Sequence, residues 1–442
     1  MPRRRSKKKD AQQCRWVVTA KQPSQAVLIQ CAVKCATLCP PDAYAVSPTG
    51  ALTTTGMQRT FALHLATVLI SLSLLEGVFY GIARCIPHQW YYKPPTREAF
   101  LQYLRSDIDW EVGWRPPPHE LATTGYRLSP AGEGLATPCM SLYGDSFTFG
   151  SEVAPEAAWG NVLTERLGCR VDNYGVPGYG TDQAYVYFSR QHQQAVDQAP
   201  VVILSHLSEN IVRNITQDYS LLYQSELALK PRFVTDGDGH LRLIKMPHVV
   251  PQDYDAYVSD MAKFLHEDYL LPSKSALSKR RIFFPHILTV PYVFTYKRFY
   301  ASLLFYAFDV PPWFAELYDP GHPSHALQVT RDILVNFARD AQRYGKRPLI
   351  FVIPTARDLV YFRRTGHWIY ANLLTMLQRQ GSAQAVNLGP QLLAKVQDGN
   401  LCDYFCTTRT TKSGHYTVQG NRVLAEVVQE VVEKLGVLSA TK

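Results

Sequence analysis

PCMSLYGDSFTFG, residues 138–150, is an apolar run that stops at a small polar turn. Pro138–Tyr143 reads as a short strand, and Gly144-Asp145-Ser146 marks its end. Working outward, Trp159–Leu167 has helical spacing, Arg170–Asn173 reads as a second strand and Thr181–Gln194 as a helix. PVVILSHL, residues 200–207, is a third strand, and its unbroken hydrophobicity implies burial on both faces. Further on come a helix at Leu327–Tyr344, a fourth strand at Arg347–Pro354 and a helix at Trp368–Gln380. A candidate fifth strand, Ala385–Leu388, and an amphipathic helix, Val418–Leu435, close the pattern. Strand and helix alternate, which predicts an α/β domain over residues 138–442, with a parallel sheet covered on both faces.

Residues 215–325 interrupt this alternation and are expected to form an inserted subdomain. Arg232–Lys245 reads as a hairpin turning at Asp236-Gly237-Asp238-Gly239. The Asp-x-Asp-Gly lacks the remaining ligands of a calcium loop, so a plain turn is the better reading. Ile282–Phe314 is dense in aromatics and carries Lys297 and Arg298. It suits a subdomain packed on the core, a lid over the site or a surface resting on a membrane. Residues 86–137, rich in Pro, Trp and Tyr, read as a stalk and lead-in with little regular structure.

The 442 residues are 46% hydrophobic and 19% charged, a composition that builds a core and excludes global disorder. The formal charge is +9, but residues 1–56 hold nine Lys/Arg against Asp10 and Asp42. The remainder is nearly neutral, so the basic pI is no sign of a nucleic-acid partner. Residues 1–56 read as an unstructured basic tail. Cys31, Cys35 and Cys39 in this tail could share a helix face, but no His or fourth close Cys completes a metal site. FALHLATVLISLSLLEGVFYGIA, residues 61–83, is long enough to span a bilayer, with His64 and Glu76 as blemishes. The preceding basic run places the amino terminus in the cytoplasm and the rest of the chain outside. A single-pass anchor over 57–85 in the inner (cytoplasmic) membrane is expected. A cleaved signal peptide ending near Gly81-Ile82-Ala83 and a buried core helix are the rivals.

A Ser just beyond a strand's carboxyl end stands at the edge where parallel sheets place ligands, and Ser146 is so placed. Its hydroxyl needs a base to become a nucleophile. Asn173-Tyr174-Gly175-Val176-Pro177-Gly178-Tyr179-Gly180-Thr181 follows the second strand. Such a turn lets backbone N–H groups approach a developing oxyanion. It lacks the Lys and Ser/Thr order of a P-loop. Ser208-Glu209-Asn210 follows the third strand and offers a side-chain amide. Gly414-His415-Tyr416 precedes the last helix, and His415 is a candidate general base. No zinc, nucleotide or flavin signature is present, so no metal and no cofactor are expected.

Together these motifs resemble the SGNH (GDSL-type) hydrolase superfamily, in a membrane-anchored bacterial form. The likeness covers roughly residues 138–214 and 327–435. It implies a three-layer α/β/α sandwich on about five parallel strands. By position, Ser146 resembles the nucleophile, Gly178 and Asn210 the oxyanion donors beside the Ser146 N–H, and His415 the base. Relatives place an Asp three residues before that His, but Lys412 stands here. An ammonium cannot accept the imidazole's hydrogen bond. The acceptor is therefore expected elsewhere, with Asp403 first and a carbonyl of the 403–413 loop second. The resemblance implies a serine esterase that removes acyl groups, acetyl foremost, from a cell-surface glycan or similar ester. The alternatives are an O-acyltransferase with the same site and a non-catalytic glycan-binding or assembly protein.

Overall fold

The computed structural model describes residues 54–85, 94–223, 227–236, 240–271, 282, 284–294, 311–381, 384–396, 400–405 and 414–438. The cysteines of the basic tail, the hairpin turn at 237–239, most of the aromatic stretch 295–310 and Lys412 lie outside these residues.

Helix α1, Thr54–Cys85, contains a 25-residue apolar span, Phe61–Cys85, none of it buried. Helix α2, Arg97–Arg105, is capped by Thr96, whose side chain accepts from the Ala99 N–H. The central elements then run β1 Pro138–Gly144, α3 Ser146–Phe149, α4 Trp159–Leu167, β2 Arg170–Gly175, α5 Thr181–Gln193, β3 Val201–Leu207 and α6 Asn210–Arg213. An antiparallel hairpin, β4 Arg232–Thr235 and β5 Leu241–Ile244, follows. The sheet resumes at β6 Arg347–Ile353 and β7 Gln384–Asn387. Its order is β2-β1-β3-β6-β7, and every pairing is parallel.

The central strands β3 and β6 are apolar at most positions because both faces of the sheet are covered. Tyr143, Val202, Leu204, Ile350 and Val352 face one cluster, with α5 and the helices Ala326–Arg343 and Ala371–Gln380. Met140, Leu142, Val171, Ile203, Leu349 and Phe351 face the other, with α4 and the helices Gly389–Lys395 and Val418–Lys434. The strand alternation of side chains sorts these residues to the two layers. The architecture is the expected three-layer sandwich on five parallel strands. The chain leaves β1 toward β2 on one side and returns to β3 on the other. The carboxyl edge between β1 and β3 is therefore a topological switch point, where such sheets open a crevice.

Three features differ from the sequence expectation. The lead-in is packed rather than a free stalk. Phe100 is buried against Tyr254 and Tyr257, and Val112 and Arg127 are also buried. Leu221, Leu229, Met246, Tyr257 and Leu265 of the insertion share a small core with Phe100 of α2. Finally, Cys139 and Cys169 form a disulfide, which joins the starts of β1 and β2. It closes a loop with a sequence separation of 30, a constraint worth about 3–4 kcal/mol in chain entropy.

Candidate active site

Ser146 begins α3 directly after β1, and Asp145 caps that turn by accepting from the Phe147 N–H at 2.9 Å. The turn is pressed onto the strand ends. A Cβ on Gly144 would collide with the Thr148 side chain, and one on Gly175 with the backbone at Phe149. These glycines let the Ser146 turn sit directly on β1 and β2. Ser146 is 6% exposed. Its N–H is the first of a helix, which has no intrahelical partner.

Gly178 lies in the left-handed region at φ +86°, which its missing Cβ permits. Trp114 and Tyr219 flank it, and Trp114 Nε1 donates to the Pro177 carbonyl at 2.9 Å. Among the described residues, the N–H groups of Ser146 and Gly178 make no hydrogen bond.

Asn210 opens α6, just past β3, and is buried. Its Nδ2 donates to Asp145 Oδ2 at 2.9 Å, which fixes the orientation of the amide. One of the two amide hydrogens is thus taken and one is left. Asp145 also lies 3.5 Å from Arg213 Nη1, and that guanidinium donates to the Tyr179 carbonyl at 2.9 Å. Burial pushes the Asp145 carboxyl above the usual range, with Arg213 and Asn210 opposing. Arg213 and Asn210 thereby link the loops after β1, β2 and β3.

A second buried network lies behind this edge. Tyr318 Oη donates to the Ser208 carbonyl at 2.8 Å, so its only hydrogen is used. His206 Nε2, 2.9 Å from that oxygen, must therefore be the protonated nitrogen. His206 Nδ1 then accepts from Thr181 Oγ1 at 2.8 Å. Burial drives the His206 pKa down to about 3, so the ring is neutral. Ser208 Oγ donates to Asp358 Oδ2 at 2.8 Å, and burial raises that carboxyl to about 6. Lys230, wholly buried, reaches from the insertion to Asp182 at 2.5 Å and to the carbonyls of Arg213, Thr216 and Pro231 at 2.9–3.0 Å. The insertion is thus fastened to the first turn of α5 and to the end of α6.

His415 sits beside Ser146's neighbour, Phe147, with ring centroids 4.9 Å apart. The imidazole Nδ1 lies 2.9 Å from Glu152 Oε1. The side chains of His415 and Glu152 are 26% and 43% exposed. No hydrogen bond joins Ser146 Oγ to His415. The acid at Nδ1 is therefore Glu152, in place of the expected Asp403 or a loop carbonyl. Asp403 is exposed on the short helix Leu401–Phe405, and its carbonyl accepts from Thr417 Oγ1. Glu152 follows α3 at φ +69°, in a loop gathered by the buried Arg127. That guanidinium donates to the carbonyls of Phe149, Gly150 and Val153, and its Gly150 and Val153 bonds are 2.7 and 2.6 Å. The sequence reading missed both Glu152 and Arg127. The one available signal was that Glu152 is the acid closest after the Gly-Asp-Ser turn once Lys412 fills the usual position.

The arrangement brings a hydroxyl, two free backbone N–H groups, a buried amide and an imidazole–carboxylate pair to one sheet edge. The chain resembles solved lipolytic proteins of the G-D-S-L family. One, from Veillonella parvula DSM 2008, is 11% identical over 66% of this chain and 96% of its own, with a TM-score of 0.32. Another G-D-S-L protein, from Desulfitobacterium hafniense DCB-2, is 11% identical over 66% and 98%, with a TM-score of 0.31. LAE5, an alpha/beta hydrolase from the metagenome of Lake Arreo, Spain, is 10% identical over 69% and 97%, with a TM-score of 0.33. No family profile and no curated protein matches the sequence.

Proposed function

We propose that the protein is a membrane-anchored serine esterase acting outside the cytoplasm. The observation that carries this reading is the His415–Glu152 pair at 2.9 Å, packed against the residue that follows Ser146. Ser146 Oγ attacks an ester carbonyl while His415 Nε2 takes its proton. The oxyanion is met by the N–H groups of Ser146 and Gly178 and by the remaining Asn210 hydrogen. His415 then protonates the leaving alcohol, and a water deprotonated by the same nitrogen hydrolyses the acyl-serine. Glu152 holds Nδ1–H and favours the imidazolium. Such hydrogen bonds commonly tighten only when substrate is bound, which accommodates the missing Ser146–His415 contact.

A non-catalytic protein would need no acid at the imidazole, so the Glu152 carboxylate at His415 Nδ1 favours the catalytic reading over a non-catalytic one. Trp114 and Tyr219 beside Gly178 favour a sugar ring near the oxyanion, hence an O-acetylated glycan as substrate. The same wall suits a sugar hydroxyl as acceptor in an O-acyltransferase. The Cys139–Cys169 disulfide supports an oxidising compartment for the domain, consistent with α1 as an inner-membrane anchor.

The test is turnover of a short-chain aryl ester by the full chain in detergent, with fluorophosphonate labelling located by peptide mass. Labelling at Ser146 and turnover lost in Ser146→Ala are expected. An active protein labelled elsewhere, or one neither labelled nor active, would overturn the assignment. Acetylated glycan with and without a sugar acceptor separates hydrolysis from transfer.

A further inference from the structure

Glu76 is the one acidic residue in the apolar span of α1. Its carboxylate accepts from the backbone N–H groups of His286 at 2.7 Å and Ile287 at 2.9 Å, and lies 2.7 Å from His286 Nδ1. These donors open the helix His286–Phe294, HILTVPYVF. The contact continues along one face of α1. Val290 is fully buried against Phe79, Ile82 and Ala83, and the Tyr80 and His286 rings meet edge to face at 5.3 Å. The helix expected as a single-pass anchor over 57–85 thus carries part of the insertion packed against its residues 76–83.

Position matters. Glu76 is nine residues before Cys85, about 14 Å along the helix. If α1 spans a membrane, Glu76 lies well below its outer surface, where an unsatisfied carboxylate is costly. Its three donors must then lie at the same depth. The opposite side of this segment is apolar and bare. Phe284 is 73% exposed and Leu288 63%, and Leu72 and Val78 of α1 are also exposed, at 49% and 58%. Water is a poor match for that surface and acyl chains a good one.

We propose that residues 284–291 are a second membrane-embedded element, set into the outer leaflet beside α1 and clamped by Glu76, with Phe284 and Leu288 facing lipid acyl chains. The inference rests on α1 spanning the bilayer. It makes the insertion a fixed membrane contact that holds the domain at the surface.

The experiment uses the full chain in phosphatidylcholine vesicles brominated on the acyl chains. Single variants Leu72→Trp, Leu288→Trp and Leu243→Trp are compared with the parent for added tryptophan emission. Leu243 is a solvent-exposed control on β5. Bromolipid quenching at 72 and 288, several-fold stronger than at 243, is expected. Quenching at 72 but not at 288, with 288 open to iodide, overturns this proposal and leaves the anchor standing. Emission at 288 that neither quencher reaches means a protein surface covers it, such as a second copy, and also overturns it. No quenching at 72 overturns the anchor itself. Adding Glu76→Ala to Leu288→Trp should abolish most of the bromolipid quenching. Full retention would overturn the clamp.

Discussion

The two halves of the candidate site are built in opposite ways. The nucleophile half, Asp145, Ser146, Asn210 and Arg213, is buried and cross-linked by hydrogen bonds among the loops after β1, β2 and β3. The base half, His415 and Glu152, is partly open to water, with an ion pair between the two and a ring contact from His415 to Phe147. Burial makes an interaction strong and its loss expensive, whereas exposure makes it weak and replaceable. The contrast teaches that the first half is part of the framework whatever else it does, whereas the second contributes little to the framework. Substitutions should therefore separate activity from stability differently on the two sides.

The largest effect expected is at Ser146. Without the hydroxyl no acyl-enzyme forms, so Ser146→Ala should lower kcat by at least about 10⁴-fold. Its melting temperature should stay close to the parent's, because among the described residues its Oγ makes no hydrogen bond. Residual turnover near the parent's would mean that another nucleophile does the work.

Next is Lys230, behind the nucleophile half. Lys230→Met leaves Asp182 as an unpaired buried carboxylate, a loss of about 3–5 kcal/mol. Thermal unfolding should show a drop of roughly 10 °C. Adding Asp182→Asn should recover part of it, since the uncompensated charge disappears. A single variant as stable as the parent would show that the insertion is not fastened by this ammonium.

Asn210→Ala should lower turnover about 10²–10³-fold, as loss of an oxyanion donor does. It should also destabilise the protein, because Asp145 Oδ2 loses the amide that satisfies it. Loss of stability with unchanged kcat would assign Asn210 to Asp145 alone and move the third oxyanion donor elsewhere.

The same contrast decided what was legible in the sequence. The sheet and its helices follow from periods of apolar residues, and the observed ends of the main elements fall within about three residues of the expected ones, inside the ordinary scatter of sequence-based boundaries. The placement of Ser146, Gly178 and Asn210 past the ends of β1, β2 and β3 was readable because each sits in a short motif that follows a strand. Glu152 was not, because it is 263 positions from His415 and its approach depends on Arg127 gathering a loop from the lead-in. The Cys139–Cys169 pairing was equally hidden, since β1 and β2 had to be neighbours before the thiols could meet. The His206–Tyr318 bond joins residues 112 apart, with no local pattern to announce it.

The smallest expected effect is the sharpest test of the base half. Under the proposed mechanism Glu152 has two tasks for His415: to keep the proton on Nδ1, and to stabilise the imidazolium as Ser146 loses its proton. A buried triad acid does both in a low dielectric, where its removal costs orders of magnitude. Glu152 is 43% exposed, so water already screens its charge and can itself accept from Nδ1. Glu152→Gln should therefore lower kcat only about 10–100-fold, short of the loss seen for a buried acid. KM and melting temperature should hardly move, because a partly exposed ion pair contributes little to stability. Glu152→Asp, one methylene shorter, should recover part of the rate if the carboxylate reaches Nδ1. Asp403→Asn, in contrast, should leave kcat unchanged, because the structure places Glu152 and not Asp403 at the imidazole. A silent Glu152→Gln beside a crippled Asp403→Asn would reverse the assignment and show that the exposed pair forms without serving the reaction.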